Sequence, residues 1–172
     1  MVDYASLSII LTGIGIIGAI TYYSFQIRNQ NRIREAQMLI QIWQKFSDPD
    51  FLARYMEIRS REWSDYEEYK EKYSYEVDPE NYVQSLSVGT TLSGVGVLVG
   101  RKFIDPRYVD DLMSTVVLNY WEKQKPVIYA MREEASLFSG GESNPQIGEW
   151  IELLYNEVKS IAKKQHPERL QS

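Results

Sequence analysis

Hydrophobic and polar positions divide this chain into one long apolar run followed by a series of helical stripes. From Tyr4 to Ile27 there are 24 residues without a charge, with SIILTGIGIIGAITYY at the centre. A helix rises about 1.5 Å per residue, so about 20 apolar residues cross a hydrocarbon layer about 30 Å thick. The run therefore predicts a transmembrane helix. Tyr4 at one end and Tyr22, Tyr23 and Phe25 at the other stand where interfacial aromatics gather. A cleavable signal peptide would open with positive charge and carry a shorter apolar core. Here the segment opens with Asp3, and the positive charges Arg28, Arg32 and Arg34 follow it. By the positive-inside rule the N-terminus is expected outside and everything after the span in the cytoplasm.

Within the span, Ala5, Ser8, Thr12, Gly15 and Ala19 recur at a spacing near 3.5 residues, which lines small side chains along one face. Small residues let membrane helices approach closely, so the stripe reads as a helix-packing seam; the same residue types are also common in spans at large. The helix is expected to continue past the bilayer. QIRNQNRIREAQMLIQIWQKF has no Gly or Pro and puts Ile33, Ala36, Ile40 and Trp43 on one face. It ends near Phe46, where Ser47-Asp48-Pro49-Asp50 supplies a cap followed by proline at the first helical position. Two parts follow: residues 1–46 as anchor and helical stem, and residues 47–172 as a cytoplasmic helical domain.

The same punctuation returns at Asp78-Pro79, Asp105-Pro106 and Asn144-Pro145, and Ser64-Asp65-Tyr66-Glu67 reads as a capping box opening a short helix to about Tyr73. Asn81 to Gly100 is a second uncharged run of 20 residues, but seven are polar and four are glycine, which favours a core helix over a second span. Its stripe Ser85, Gly89, Ser93, Gly96 and Gly100 predicts close packing by another helix or by the base of the anchor. From Pro106 to about Gln124 the apolar positions Val109, Leu112, Met113, Val116, Val117, Tyr120 and Trp121 form an i, i+3, i+4 stripe. Pro126 is expected to kink or restart that helix, and SLFSGGESNPQ to form a flexible loop. A last helix, from about Gln146 to Lys164, should bury Ile147, Trp150, Ile151, Leu154, Val158 and Ile161. Period-two alternation is absent, so the fold class is all-α: an N-terminal transmembrane helix running into a cytoplasmic helical bundle.

Length and composition refine this picture without changing it. The 172 residues suit one domain plus an anchor, and 44% apolar with 25% charged residues is too apolar for a disordered chain. A net charge of −5 argues against a nucleic-acid binder. With no cysteine, disulfides, thiolate metal sites and cysteine nucleophiles are excluded.

Candidate chemistry is sparse. Gly13-Ile14-Gly15-Ile16-Ile17-Gly18 matches the dinucleotide fingerprint, yet that motif needs a strand turning into an exposed helix N-terminus, which a lipid-buried helix cannot supply. Gly94-Val95-Gly96 lacks the strand and lysine–serine pair of a phosphate loop. The single histidine, His166, stands in a polar tail. The carboxylate pairs Asp48/Asp50, Asp110/Asp111 and Glu133/Glu134 read as caps and solvated faces, and no Glu-x-x-His repeat is present to build a di-metal site. No catalytic, metal or cofactor residue is assigned. Arg132 is the one side chain suited to an anionic ligand or a partner's carboxylate, with an internal ion pair as the plainer expectation.

The anchor followed by NRIREAQ, then WQKFSDPDF, VGVLVGRKFIDPRYVDDL, YWEKQKPVIYAMRE and the Trp150 helix, resembles an uncharacterised family of archaeal and bacterial single-span proteins grouped under a domain of unknown function. That resemblance implies a helical cytoplasmic bundle behind an N-terminal span and brings no activity with it.

The functional expectation is a membrane-anchored, non-enzymatic interaction module or accessory subunit, meeting lipid and a protein partner or second copy. The alternative is a membrane-localised sensor or enzyme for a small anionic ligand. Arg28, Arg32 and Arg34 fall within about two helical turns and surround the stem instead of forming one stripe, which suits lipid headgroups as well as a role in insertion alone. Replacing all three with Gln is expected to loosen or invert the topology reported by a fusion after Ser172, leaving the fold of residues 47–172 intact. Retained topology with loss of a bound protein would make the collar a protein-binding site.

Overall fold

The computed structural model describes residues 3–138 and 146–165, and the backbone alone of Ala5, Ser6, Leu137 and Phe138. Among them are six helices and no strand: α1 (Tyr4–Phe46), α2 (Pro49–Ser60), α3 (Tyr66–Tyr73), α4 (Pro79–Gly100), α5 (Pro106–Phe138) and α6 (Glu149–Gln165). The fold is all-α. The helix start expected at Asn144-Pro145, His166 and the Ala5 side chain lie outside the described residues.

The chain divides into two units, Met1–Ile40 and Gln41–Ser172. In the first, α1 is long and apolar enough to cross a bilayer, and none of its apolar window is buried. Three hydroxyls along it are satisfied within the helix: those of Thr12, Thr21 and Ser24 donate to the carbonyls of Ser8, Ile17 and Ile20 at 2.8–2.9 Å. Such back-bonding removes the need for water.

The second unit is built on α4, α5 and α6, with α2 and α3 bracing them. Each start is set locally. Asp48 accepts from the amides of Asp50 and Phe51, Asp78 from Asn81 and Asp105 from Arg107, each followed by a proline that has no amide to satisfy. The expected box at Ser64 is shifted by one residue. Asp65 is the cap of α3, accepting from the Glu68 amide, while the Glu68 carboxylate accepts from the Ser64 amide and hydroxyl. The Glu68 side chain, not that of Glu67, reaches back because it stands one turn above Ser64.

The small stripe on α4 is where α6 packs. A Cβ added at Gly96 would lie 2.1 Å from the Trp150 carbonyl oxygen, and one at Gly100 2.7 Å from the Trp150 ring. Val88, Leu92, Val95 and Val99 are buried beside this contact. The chain leaves α4 through a left-handed Lys102 (φ 60°), with the Phe103 amide donating to Leu98 and the Lys102 amide to Val99, the pattern of a Schellman stop.

Helix α5 corrects the expectation at Pro126. It runs unbroken through that residue, and its non-helical position is Met113 (φ −146°, ψ 21°). A proline costs one hydrogen bond and a clash, which packing absorbs here: the neighbouring Gln124, Val127 and Ile128 are all buried. Leu112 is exposed, and Asp110, Ser114 and Gln124 take inward positions between Met113, Val117, Tyr120 and Trp121. Helix α6 begins at Glu149, not near Gln146 as expected; along it Tyr155 and Ala162 join Ile151, Leu154 and Val158 in the core, while Trp150 and Ile161 are half-buried, as is Ile147 in the turn before it.

Gly96→Ala is expected to destabilise the folded domain by about 1–3 kcal/mol in denaturant unfolding, because the new methyl meets backbone that cannot yield. Gly94 on the same helix has nothing within 4 Å of an added Cβ. Gly94→Ala should therefore raise stability by about 0.5–1 kcal/mol through helix propensity. Equal effects at the two sites would disprove the close α4–α6 approach.

Candidate functional site

Four helices of the second unit leave a cavity of about 190 Å³ between them. Tyr69 of α3 stands at one side; Ser85, Gly89 and Ser93 of α4 form another; Tyr120, Gln124 and Ile128 of α5 and Ile151 of α6 close it. The backbone makes room at two points. An added Cβ at Gly89 would come within 2.8 Å of the Tyr120 hydroxyl, and Gly148, at φ 69°, turns the chain into α6 against Ile128. Among the described residues no charged side chain lines this space.

Its polar groups are held from outside. Arg61, just past the end of α2 and 6% exposed, donates from Nη1 to the Ser85 hydroxyl at 2.6 Å and from Nη2 to the Asn81 side-chain oxygen at 2.9 Å. The same nitrogen lies 3.3 Å from Glu57, and the guanidinium stands 5.1 Å from the centre of the Tyr73 ring. Asn81 in turn donates to Asp78, the cap of α4, which holds the Asp78 carboxyl below the usual carboxylate range. One guanidinium thus ties α2, α3 and α4. Ser85 passes the effect inward: its carbonyl accepts a long 3.4 Å bond from the buried Tyr120 hydroxyl. Burial pushes the Tyr69 and Tyr120 phenols up, and Arg61 pulls both back.

Gln124 is 4% exposed, and its Nε2 has no hydrogen-bond partner. Asp110, 1% exposed, has neither carboxyl oxygen partnered. Its assignment to a cap or solvated face is corrected: neighbours on a helix point about 100° apart, so Asp111 is exposed while Asp110 follows the core stripe of Met113, Ser114 and Val117. A buried carboxyl without partners is costly.

Arg132 is engaged within the bundle. It pairs with Glu152 of α6 at 2.8 Å, donates from Nε to the Ile147 carbonyl at 2.8 Å, and lies over the Tyr129 ring, whose hydroxyl also donates to Glu152 at 2.7 Å. Nη2 alone is unpartnered. A second clasp between the helices joins Tyr155 to Glu122, with Lys159 alongside. On α1, Ser8, Thr12, Gly15 and Ala19 are all exposed, as are Arg28, Arg32 and Arg34. The described residues contain no group of three or more metal-ligating side chains.

A family model described as a domain of unknown function (DUF4760) matches residues 9–156. The chain belongs to that family. The match takes in most of α1's apolar run as well as the bundle, so both are parts of what the family shares. No curated protein matches the chain, and no solved structure does.

Sequence reasoning missed Arg61 and Gln124. Nothing in SREWSD marks an arginine as buried, since its partners Asn81 and Ser85 are 20 and 24 positions away. Gln124 was legible only as the continuation of the core stripe at i+3 and i+4 from Trp121 and Tyr120.

Tyr69 and Tyr120 yield a pH prediction. A phenol whose folded pKa lies above its unfolded value keeps its proton longer in the fold, so stability is full below the ordinary value of 10.0 and falls as pH rises from there toward the folded values. Phenolate absorbance should show a late-titrating set of tyrosines in the folded protein that vanishes in denaturant. Tyr120→Phe should remove part of it.

Proposed function

We propose that this chain is a membrane-anchored, non-enzymatic interaction module, with α1 as a single span, the N-terminus outside and the helical domain in the cytoplasm. The observation that carries the reading is the exposed apolar surface of α1. Ile9, Ile10, Leu11, Ile14, Ile16, Ile17 and Ile20 are all exposed, and burying an aliphatic side chain is worth about 1.5–3 kcal/mol, so leaving them in water would forfeit on the order of 10 kcal/mol. A bilayer removes that cost. The arginines Arg28, Arg32 and Arg34 then fall at the anionic headgroups of the cytoplasmic leaflet.

The seam favours a second copy of the chain as the first partner. The alternation of four and three set by Ser8, Thr12, Gly15 and Ala19 continues unbroken through Tyr22, Gln26 and Asn29 to Ile33, Ala36, Ile40 and Trp43, and every one of these residues is exposed. A repeat of 3.5 residues keeps one face toward a partner along a left-handed supercoil. Two parallel copies would meet small residues with small residues in the membrane and Ile, Ala and Trp with their like in the stem. The helical domain is then held near the bilayer to receive a further subunit.

Gly15→Ile is expected to weaken self-association in a membrane assay and to reduce what co-purifies with the full chain from native membranes. The neighbouring Ile16→Leu, off the seam, should change neither. If the two variants behave alike, the seam is not the contact.

A further inference from the structure

A second concavity, open to solvent, runs between α2 and α4 and holds about 640 Å³. From α2 it takes Asp50, Arg54 and Glu57, which stand on one face over two turns, or about 10 Å. From α4 it takes Glu80 and Val83, and Tyr75, from the segment before α4, completes the wall. The apolar members are exposed: Val83 is 53% and Tyr75 56% accessible, the Tyr75 ring standing edge-on to Tyr82 with 5.8 Å between centres.

Among the described residues three carboxylates line this groove against one guanidinium. That guanidinium is engaged: Arg54 donates from Nε to the Asp50 carbonyl at 3.0 Å and from Nη1 to the Ser87 hydroxyl at 3.4 Å. Glu57 shares Arg61, while the carboxylates of Asp50 and Glu80 have neither a hydrogen bond nor an ion pair among the described residues. Each of these two occupies the second residue of its helix, where the dipole favours acid. The dipole accounts for neither the third carboxylate nor the apolar side chains exposed in the same groove. The surface beyond has the same sign: residues 62–80 carry eight acids against two lysines, a net −6 where the whole chain has −5. The described residues gather no three metal-ligating side chains, so these carboxylates stand too far apart for one ion and suit separate positive charges.

We propose that the groove receives a cationic amphipathic helix of a partner protein, its Lys or Arg side chains meeting Asp50 and Glu80 and an aliphatic residue of the same face covering Val83 and Tyr75. The proposal rests on the interaction-module reading and gives the chemistry of the subunit that the domain receives.

The probe is an alanine-based helical peptide with Lys at i and i+7 and Leu at i+3 and i+4. It is added to the full chain in nanodiscs of phosphatidylcholine, whose headgroups carry no net charge to hold it. The Ala53 and Val83 methyl resonances should shift in a saturable way. Exchanging the peptide's Lys for Glu should abolish binding, and exchanging Leu for Ala should weaken it by about tenfold. In the protein, Asp50→Asn with Glu80→Gln should weaken binding by about five- to tenfold. Val83→Ser, at an exposed position that carries no charge, should weaken it by about threefold. Glu62→Gln with Glu71→Gln, two exposed acids outside the groove, should change it by less than about twofold. Equal losses from the two charge pairs would reduce the effect to general attraction by an acidic surface and overturn the proposal. So would the absence of a saturable shift, or equal binding by the Leu and Ala peptides. Groove methyls that differ, without peptide, between discs holding one chain and two would assign the groove to a second copy, and methyls that move when anionic lipid is introduced would assign it to the membrane. Either result overturns the proposal as well. Gly15→Ile acts on the seam of α1 and should leave peptide affinity unchanged, so failure of the groove and failure of the self-association reading are told apart.

Discussion

Everything in the helical domain depends on how closely α4 and α6 approach. At Gly96 the two backbones come near enough that a single methyl would overlap the Trp150 carbonyl. That approach brings the valines and Leu92 of α4 into contact with α6 and lets the Trp150 ring lie over Gly100, under Arg101. Moving α6 outward by the width of a methyl would open the core along its length, because packed interiors have little slack. The cavity is a by-product of the same geometry, sitting where Gly89 and Gly148 withhold side chains instead of admitting a helix.

Polar groups then decide which surfaces the tight core is allowed to carry. Arg61 is a buried cation, costly to desolvate, and it is tolerated because Ser85, Asn81, Glu57 and the Tyr73 ring surround it. Removing a partner would leave an uncompensated charge, so the knot acts as a constraint on how α2 and α3 sit against α4. The ion pairs on the outside of α3, such as Lys72 with Glu68, are of a different kind: solvent screens them and each contributes little.

The two units follow opposite solvent logic. In the bundle the core is apolar and most buried polar groups are matched, with Asp110 and the Gln124 Nε2 among the exceptions; along α1, the aliphatic residues are outside and the hydroxyls of Thr12, Thr21 and Ser24 are turned back onto the helix carbonyls. In both, a polar group out of water is costly unless it finds a partner.

Local chemistry was legible in the sequence, and long-range pairing was not. An aspartate before a proline marks a helix start because cap and proline act within three residues, and Asp48, Asp78 and Asp105 all cap where expected. The apolar run of α1 and the small stripe of α4 are likewise properties of one helix and its periodicity. Which helix would fill that stripe, where α5 would bend, and which polar residues would turn inward were settled only by tertiary structure. Pro126 was expected to kink or restart the helix because proline is unfavourable in an isolated helix, yet α5 continues through it among buried neighbours, and the non-helical residue is Met113. Arg61 carries no local signal, since Ser85 and Asn81 meet it only after packing, and Asp110 and Gln124 carry only their place along the core stripe of α5. The sequence by itself determined that the chain is helical and where α2, α4 and α5 begin, because those depend on neighbours within a turn or two. Only the tertiary structure decided the buried polar network and the cavity, because both are defined by what packing brings together and by what it leaves unfilled.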